Sequence, residues 1–136
     1  NDRWWLGLLE GIVGIAADRN LTGTGSVVNL FGAPALLPDG HVQLALRTGA
    51  PLGFFFSLRR PDNTFEAYIE PPLALERTGD QERDVRSGMA QIAAVLEKHI
   101  GQHPEQWVMF QPIWSVQPRG AVERGQLSPG TEQTSQ

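Results

Sequence analysis

Apolar residues recur every three or four positions in two stretches of this chain, which is the spacing of an amphipathic helix. The clearer stretch runs from Asp80 to about Ile100 and carries one apolar stripe: Val85, Met89, Ile92, Leu96 and Ile100. Acidic residues crowd its start, Lys98 and His99 lie at its end, and Gly101 follows, as suits the helix dipole and a C-terminal cap. A second helix is predicted over roughly 38–48, with Pro38 near its first turn and Gly49 past its end.

Other stretches show shorter patterns. Residues 4–9 carry Trp and Leu at helical spacing and stop before Gly11. Continuous apolar runs at 11–17 and 52–60 are typical of strands buried on both faces, and 27–32 is read as a short extended piece. After a turn at 60–63, the alternating residues 64–71 predict a strand that returns antiparallel.

This order of elements predicts an α/β fold, with a mixed sheet flanked by helices. At 136 residues the chain fits one domain, placed at 1–116. Residues 117–136 are rich in Gly, Ser and Gln and have little to bury, so we predict a disordered tail.

Composition narrows the possible functions. Zero Cys excludes disulfides and thiolate chemistry, and a net charge of −4 without a basic run argues against a nucleic-acid partner. No apolar run approaches the length needed to span a bilayer, so the chain is expected to be soluble. The chain starts without Met and in mid-pattern, from which we expect a piece of a longer protein.

The sequence gives little indication of a metal site or a phosphate-binding site. His99 and His103 are four apart, but Gly101 and Pro104 indicate a helix end there, and His41 has no partner at ligand spacing. Neither a metal nor a cofactor is therefore predicted. The loop "TGTGS" lacks the spacing of a phosphate-binding motif and no helical pattern follows it.

Arginines and an aspartate at element ends are the better candidates. Asp18 and Arg19 follow the predicted strand 11–17, where α/β folds place ligand-handling residues. The alternative is that Asp18 caps the loop and Arg19 is solvated. Arg59 ends the next strand and is either an exposed turn flank or a contact for a phosphate or carboxylate, whereas Arg47 suits the end of a helix.

The segment "HPEQWVMFQPIW" (103–114) concentrates large apolar residues near the end of the chain. Pro104 suits the start of a short helix that Pro112 ends, which would place Trp107, Phe110 and Trp114 on one side. Three interpretations stay open: a staple onto the core, a contact with acyl chains or a membrane, and a lid over a ligand site.

Several of these pieces together resemble one family. "GIAADRNLTGTGSVVNLFGAPALLPDGHVQLALRTGAPLG", "RRPDNTFEAYIEPPLALERTGD" and "HPEQWVMFQPIW" are similar to the C-terminal half of the bacterial lipid A biosynthesis acyltransferases, near the branch of the phosphatidylinositol mannoside acyltransferases. The resemblance covers about residues 3–114. It implies part of a glycerol-phosphate-acyltransferase-like domain that works peripherally at the cytoplasmic face of the bacterial inner membrane.

The resemblance also implies a reaction, the transfer of a fatty acyl group from acyl-CoA or acyl carrier protein to a hydroxyl of a lipid or glycolipid. The family uses a His-x-x-x-x-Asp dyad, in which His is the general base and Asp orients it. The resemblance carries over Asp18 and Arg19 as residues of the active-site cleft. Arg59 is a further substrate-binding candidate because of its place at a strand end, and Trp107, Phe110 and Trp114 are the candidates for acyl-chain or membrane contacts.

This chain departs from the family in one respect. Leu46, Pro104 and Val108 stand five positions after the three His, so no such dyad exists in these 136 residues. We therefore expect no catalytic residue and no activity in this chain by itself. A cut α/β domain would leave apolar surface or a sheet edge uncovered, from which we predict self-association. A non-catalytic lipid- or protein-binding module is the alternative.

Overall fold

The computed structural model describes residues 11–20 and 23–114, which form an α/β arrangement of two hairpins and two helices. Strands β1 (Ser26–Leu30) and β2 (Ala33–Leu37) make one antiparallel pair, and β3 (Phe54–Arg59) and β4 (Phe65–Glu70) make another. Helix α1 (Gly40–Thr48) lies between the hairpins, and helix α2 (Gln81–Gln102) precedes a 3₁₀ turn at Pro104–Gln106. The α/β class is confirmed, but the described strands form two separate antiparallel sheets and not one mixed sheet.

Helix α2 is the element around which the core is built. All five residues of its predicted stripe are buried, and Asp80 caps its start by accepting a hydrogen bond from the Arg83 backbone N–H. The helix continues through Gly101, which we expected to end it. The end comes at His103, whose backbone N–H bonds the carbonyls of His99 and Ile100.

The first hairpin packs against α2 and was only half predicted. Its two-residue turn has positive φ at both Phe31 (53°) and Gly32 (82°), the geometry of a type I′ turn. Phe is a rare residue in that conformation, and the Glu97 carboxylate of α2 holds it there by accepting the Phe31 N–H at 2.6 Å. The extended piece predicted at 27–32 is therefore mostly β1, and its partner β2 was missed.

Helix α1 is confirmed close to its predicted bounds. Gly49 ends it in the left-handed conformation, with φ of 78°. Although Arg47 lies in the last turn as expected, it is Arg77 from a distant loop that bonds the terminal carbonyls of Ala45 and Leu46. This contact fixes the helix end beside the second hairpin's connection to α2.

The second hairpin, β3–β4, is confirmed with its predicted turn. The Asn63 N–H bonds the Arg60 carbonyl, and Asn63 has φ of 68°. The expectation that this stretch is buried on both faces is wrong. Phe54, Phe56 and Leu58 face inward, whereas Phe55 on the other face is 64% exposed and lies opposite Ile69, which is 80% exposed.

The predicted strand at 11–17 is also wrong in the described structure. These residues form no strand, and most of their side chains are exposed. Continuous apolar sequence indicates burial but does not supply a neighbouring strand, and no described strand pairs with this stretch. The helix predicted over residues 4–9 and the tail at 117–136 lie outside the described residues.

Candidate functional site

The segment 103–114 connects the end of α2 to both hairpins and to the residues around Asp18. It forms only a 3₁₀ turn at Pro104–Gln106 before continuing in irregular structure, so the predicted helix to Pro112 is wrong. Pro104 at its first helical position is as expected. As a consequence, the three aromatic residues of the segment do not share one helical face.

Trp107 is the residue through which this segment reaches the predicted substrate-binding aspartate. Its indole Nε1 donates a hydrogen bond to Asp18 Oδ2 at 3.1 Å. Its ring packs edge-on against Trp114, with centroids 5.9 Å apart, and Trp114 donates in turn to the Leu30 carbonyl. Two candidates chosen for separate reasons, Asp18 and Trp107, are thus in direct contact.

The other apolar residues of the segment divide into buried and exposed. Ile113, which the sequence did not single out, is 5% exposed, and its carbonyl accepts the Leu36 N–H at 3.0 Å. Phe110 is 84% exposed. The segment is therefore attached through Trp107, Ile113 and Trp114, while Phe110 points to solvent.

Gln106 attaches the same segment to β3. Its side-chain amide accepts the Arg59 N–H at 2.8 Å and donates to the Arg59 carbonyl at 3.0 Å. The pair of bonds is the pattern that a neighbouring strand would make, and no sequence signal pointed to it. Two residues adjacent in sequence therefore bind different parts of the fold: Gln106 binds β3, and Trp107 binds Asp18.

The two candidate arginines lie apart from this contact. Arg19 is exposed and has no hydrogen bond or ion pair to another described residue. The Arg59 guanidinium donates to Asn63 Oδ1 at 2.9 Å, which makes it a flank of the turn, the alternative weighed above. Neither is bonded to Asp18, so a role for them in binding substrate stays a prediction.

A groove of about 920 Å³ opens between these elements. One wall is the segment 11–18, and another is β3 with the loop before it. Helices α1 and α2 form its floor through residues that include Leu44, Leu96 and Ile100, and Gln106 and Trp107 lie at one end. The lining is mainly apolar, with Asp18 and three His as its ionisable side chains.

His41 is the least expected of those side chains. It is 4% exposed, and neither ring nitrogen has a hydrogen-bond partner among the described residues. Burial lowers the pKa of His41 below its ordinary value, against the opposing charge of Asp39, so the ring is neutral at neutral pH. A neutral imidazole can both donate and accept one hydrogen bond.

His99 is held differently, by a carboxylate. Its Nε2 lies 2.6 Å from Glu70 Oε1, which Lys98 Nζ also contacts at 2.5 Å, and its ring stacks on Phe56 with centroids 4.0 Å apart. The hydrogen bonds from Lys98 and His99 hold the pKa of Glu70 below its ordinary value. Sequence reasoning placed His99 at a helix end only, because Glu70 is 29 residues away.

Metal-binding clusters and membrane-spanning helices are both absent from the part of the chain that the structure describes. Residues 11–20 and 23–114 contain no cluster of three or more His, Asp or Glu arranged to hold a metal ion. Across the same residues, neither helix has the length and apolarity required to cross a bilayer.

The described structure is an α/β scaffold with an apolar groove and an aspartate at its wall, and comparison with known proteins gives the family. The chain belongs to the family described as bacterial lipid A biosynthesis acyltransferase, whose sequence profile matches residues 9–115. The resemblance noted from the motifs is therefore confirmed at the level of the family.

Two curated relatives carry a more particular name. The phosphatidylinositol mannoside acyltransferases of Mycobacterium tuberculosis strains CDC 1551 / Oshkosh and ATCC 25618 / H37Rv are each 35% identical to this chain over 106 residues. The match covers 76% of this chain and 31% of each relative. The chain thus spans about a third of the length of the curated relatives it matches.

Proposed function

We propose that this chain is part of an enzyme that transfers a fatty acyl group from acyl-CoA or acyl carrier protein to a hydroxyl of a lipid or glycolipid. The observation that carries the proposal is the family match over residues 9–115, which includes all of the described residues. The 35% identity to phosphatidylinositol mannoside acyltransferases supports a mannosylated phosphoinositide as the acceptor. With such an acceptor, the enzyme would work peripherally at the cytoplasmic face of the bacterial inner membrane.

The chain would contribute the binding surface and not the base. None of its three His is followed by Asp at the fifth position, so the His-x-x-x-x-Asp dyad of the family must come from residues outside these 136. Together they would complete a glycerol-phosphate-acyltransferase-like domain. We therefore expect this chain alone to transfer no acyl group.

The groove supports a division of roles within the chain. Asp18 is a substrate-binding candidate that the Trp107 indole orients at the wall of the groove. Arg19 and Arg59 are exposed cations available to an acidic headgroup. Phe110, 84% exposed, and Trp114 are available to lipid on the outer side of the segment.

The test is acyl transfer by the full-length protein, with labelled acyl-CoA and acyl carrier protein as donors and a set of lipid hydroxyl acceptors. Transfer is expected with wild type, with none after replacement of the dyad His by Ala, and none with residues 1–136 alone. A full-length protein that has no dyad and transfers nothing would remove the enzyme proposal.

A non-catalytic binding module is the second candidate, favoured by the presence of a groove in a chain without the dyad. In that case residues 1–136 alone would bind lipid vesicles or a protein, and the full-length protein would show no transfer. Vesicle co-sedimentation with neutral and anionic vesicles measures this directly.

Self-association of the chain is a separate expectation. The outer face of β3–β4 exposes Phe55, Phe65 and Ile69 together, a patch that favours contact with another apolar surface. Sedimentation velocity over a range of concentrations should show species larger than a monomer. A monomer at every concentration would contradict this expectation.

A further inference from the structure

Strand β3 has one edge paired with β4 and one edge facing the groove. In an antiparallel pair, residues alternate between bonding the partner strand and pointing their N–H and C=O away from it. The Arg60 N–H bonds the Thr64 carbonyl, which places the even-numbered residues of β3 on the β4 side. The odd-numbered residues Phe55, Ser57 and Arg59 therefore point their backbone groups towards the groove.

The Gln106 amide independently confirms that the odd-numbered residues of β3 point their backbone groups towards the groove. It bonds both backbone groups of Arg59 from the groove side, as one residue of an added strand would. No described residue bonds the N–H or C=O of Phe55 or Ser57. Among the described residues, an amide therefore fills this edge at one position, and the next two positions have no backbone partner.

The other wall of the groove, residues 11–17, also has backbone groups without a partner among the described residues. Residues 11–17 are apolar and make no backbone hydrogen bond to other described residues. They line the same groove of about 920 Å³ as Phe55 and Ser57 of β3. Backbone groups without a protein partner on two sides of an apolar groove are available to pair with an added strand.

We propose that this groove receives an extended strand of polypeptide, which pairs with β3 at Phe55 and Ser57. The strand comes from the part of a full-length acyltransferase outside the aligned residues, since the match covers only 31% of each relative. An acyl chain fits the apolar lining, but it has no donor or acceptor for the open backbone groups. A peptide supplies both, and the Gln106 amide already shows that amide chemistry fits this edge.

The experiment uses residues 1–136 and peptides of about ten residues, enough to include a full strand. The peptides tile the Mycobacterium tuberculosis relative outside its aligned segment, and binding is measured by fluorescence anisotropy. Ser57→Pro removes one N–H of the open edge and places the ring where the added strand would lie. Ala67→Pro, directly opposite in β4, removes an N–H that also points away from its partner strand and is the matched control.

At least one apolar peptide should bind wild type and Ala67→Pro alike, and bind Ser57→Pro about tenfold more weakly or worse. In wild type, the same peptide should slow hydrogen exchange at the Phe55 and Ser57 amides. This second measurement decides the question if Ser57→Pro fails to fold.

Three results would overturn the proposal. The first is that no peptide binds, or that both proline variants bind equally. The second is protection of the two amides that rises with the concentration of the chain alone, which assigns the groove to a second copy. The third is binding of a fatty acid with the same affinity to both variants and without amide protection, which assigns it to an acyl chain. Because the proposal rests on family membership and not on activity, its failure leaves the acyl-transfer test unaffected.

Discussion

The contact between Trp107 and Asp18 gives a sharp test of how the C-terminal segment supports the groove. Trp107→Phe keeps an aromatic ring against Trp114 but removes the N–H that bonds Asp18 at 3.1 Å. A hydrogen bond to a charged group contributes about 1.5–3 kcal/mol, and partial exposure places this one near or below the lower end. We expect Trp107→Phe and Asp18→Ala each to lower the free energy of unfolding by about 1 kcal/mol.

Replacement of Trp107 by Ala should lower the free energy of unfolding by more than Trp107→Phe does. A buried aromatic residue replaced by Ala loses about 3–5 kcal/mol, and Trp107 is only partly buried. Loss of its edge-on contact with Trp114 removes about 0.5–1.5 kcal/mol of that. Trp107→Ala should therefore lower the free energy of unfolding by about 2–3 kcal/mol.

The assay is urea unfolding followed by far-ultraviolet circular dichroism, since fluorescence changes when Trp is replaced. The two substitutions Trp107→Phe and Asp18→Ala remove the same hydrogen bond. In the double mutant, the loss of free energy of unfolding should therefore be smaller than the sum of the two single losses by about 1 kcal/mol. Additivity to within about 0.3 kcal/mol would refute the contact. If Trp107→Ala left stability unchanged but weakened membrane binding of the full-length protein, the membrane interpretation would replace the staple.

Three further changes test other parts of the fold. Gly25→Ala should destabilise by more than about 3 kcal/mol in urea unfolding, since Gly25 has φ of 149° and a Cβ there would lie 2.1 Å from a β2 carbonyl oxygen. Gly23→Ala, the control with φ of 69° and open space, should cost about 1–2 kcal/mol; equal losses would contradict this geometry. Gln106→Ala should cost about 1–2 kcal/mol and speed hydrogen exchange at the Arg59 amide, and unchanged exchange there would remove the proposed strand-like pairing. Because the folded-state pKa of Glu70 is lowered, its stabilisation is present above the unfolded-state pKa and is lost as the pH falls through the folded value. Glu70→Gln should flatten that acid limb of a stability–pH profile, and an identical limb would show that other carboxylates produce it.

What the sequence predicted well depends on contacts that are local in the chain. The stripe of α2 and the β3–β4 hairpin follow from spacings of a few residues and from one turn at 60–63. The β1–β2 hairpin was half missed because its turn uses Phe31 at positive φ, which is held by a carboxylate 66 residues away. No pattern within a few residues of the turn predicts this conformation.

The candidate site was predicted by residue type but not by geometry. Asp18 and Trp107 are separated by 89 residues, and only the structure joins them. The sequence indicated only that His41 has no metal-ligand partner at a suitable spacing, whereas packing buries its ring with no hydrogen-bond partner among the described residues. The run 11–17 has the composition of a buried strand, but composition cannot say which strand it would pair with.

One turn controls both walls of the groove. Gln106 bonds the β3 side, and the next residue, Trp107, bonds Asp18 on the segment 11–18. Their spacing is fixed by the 3₁₀ turn that starts at Pro104, whose ring restricts φ. The distance between the walls therefore depends on the backbone of three residues at the end of α2. A ligand or strand that enters the groove therefore lies between two walls that the same short turn attaches to the end of α2.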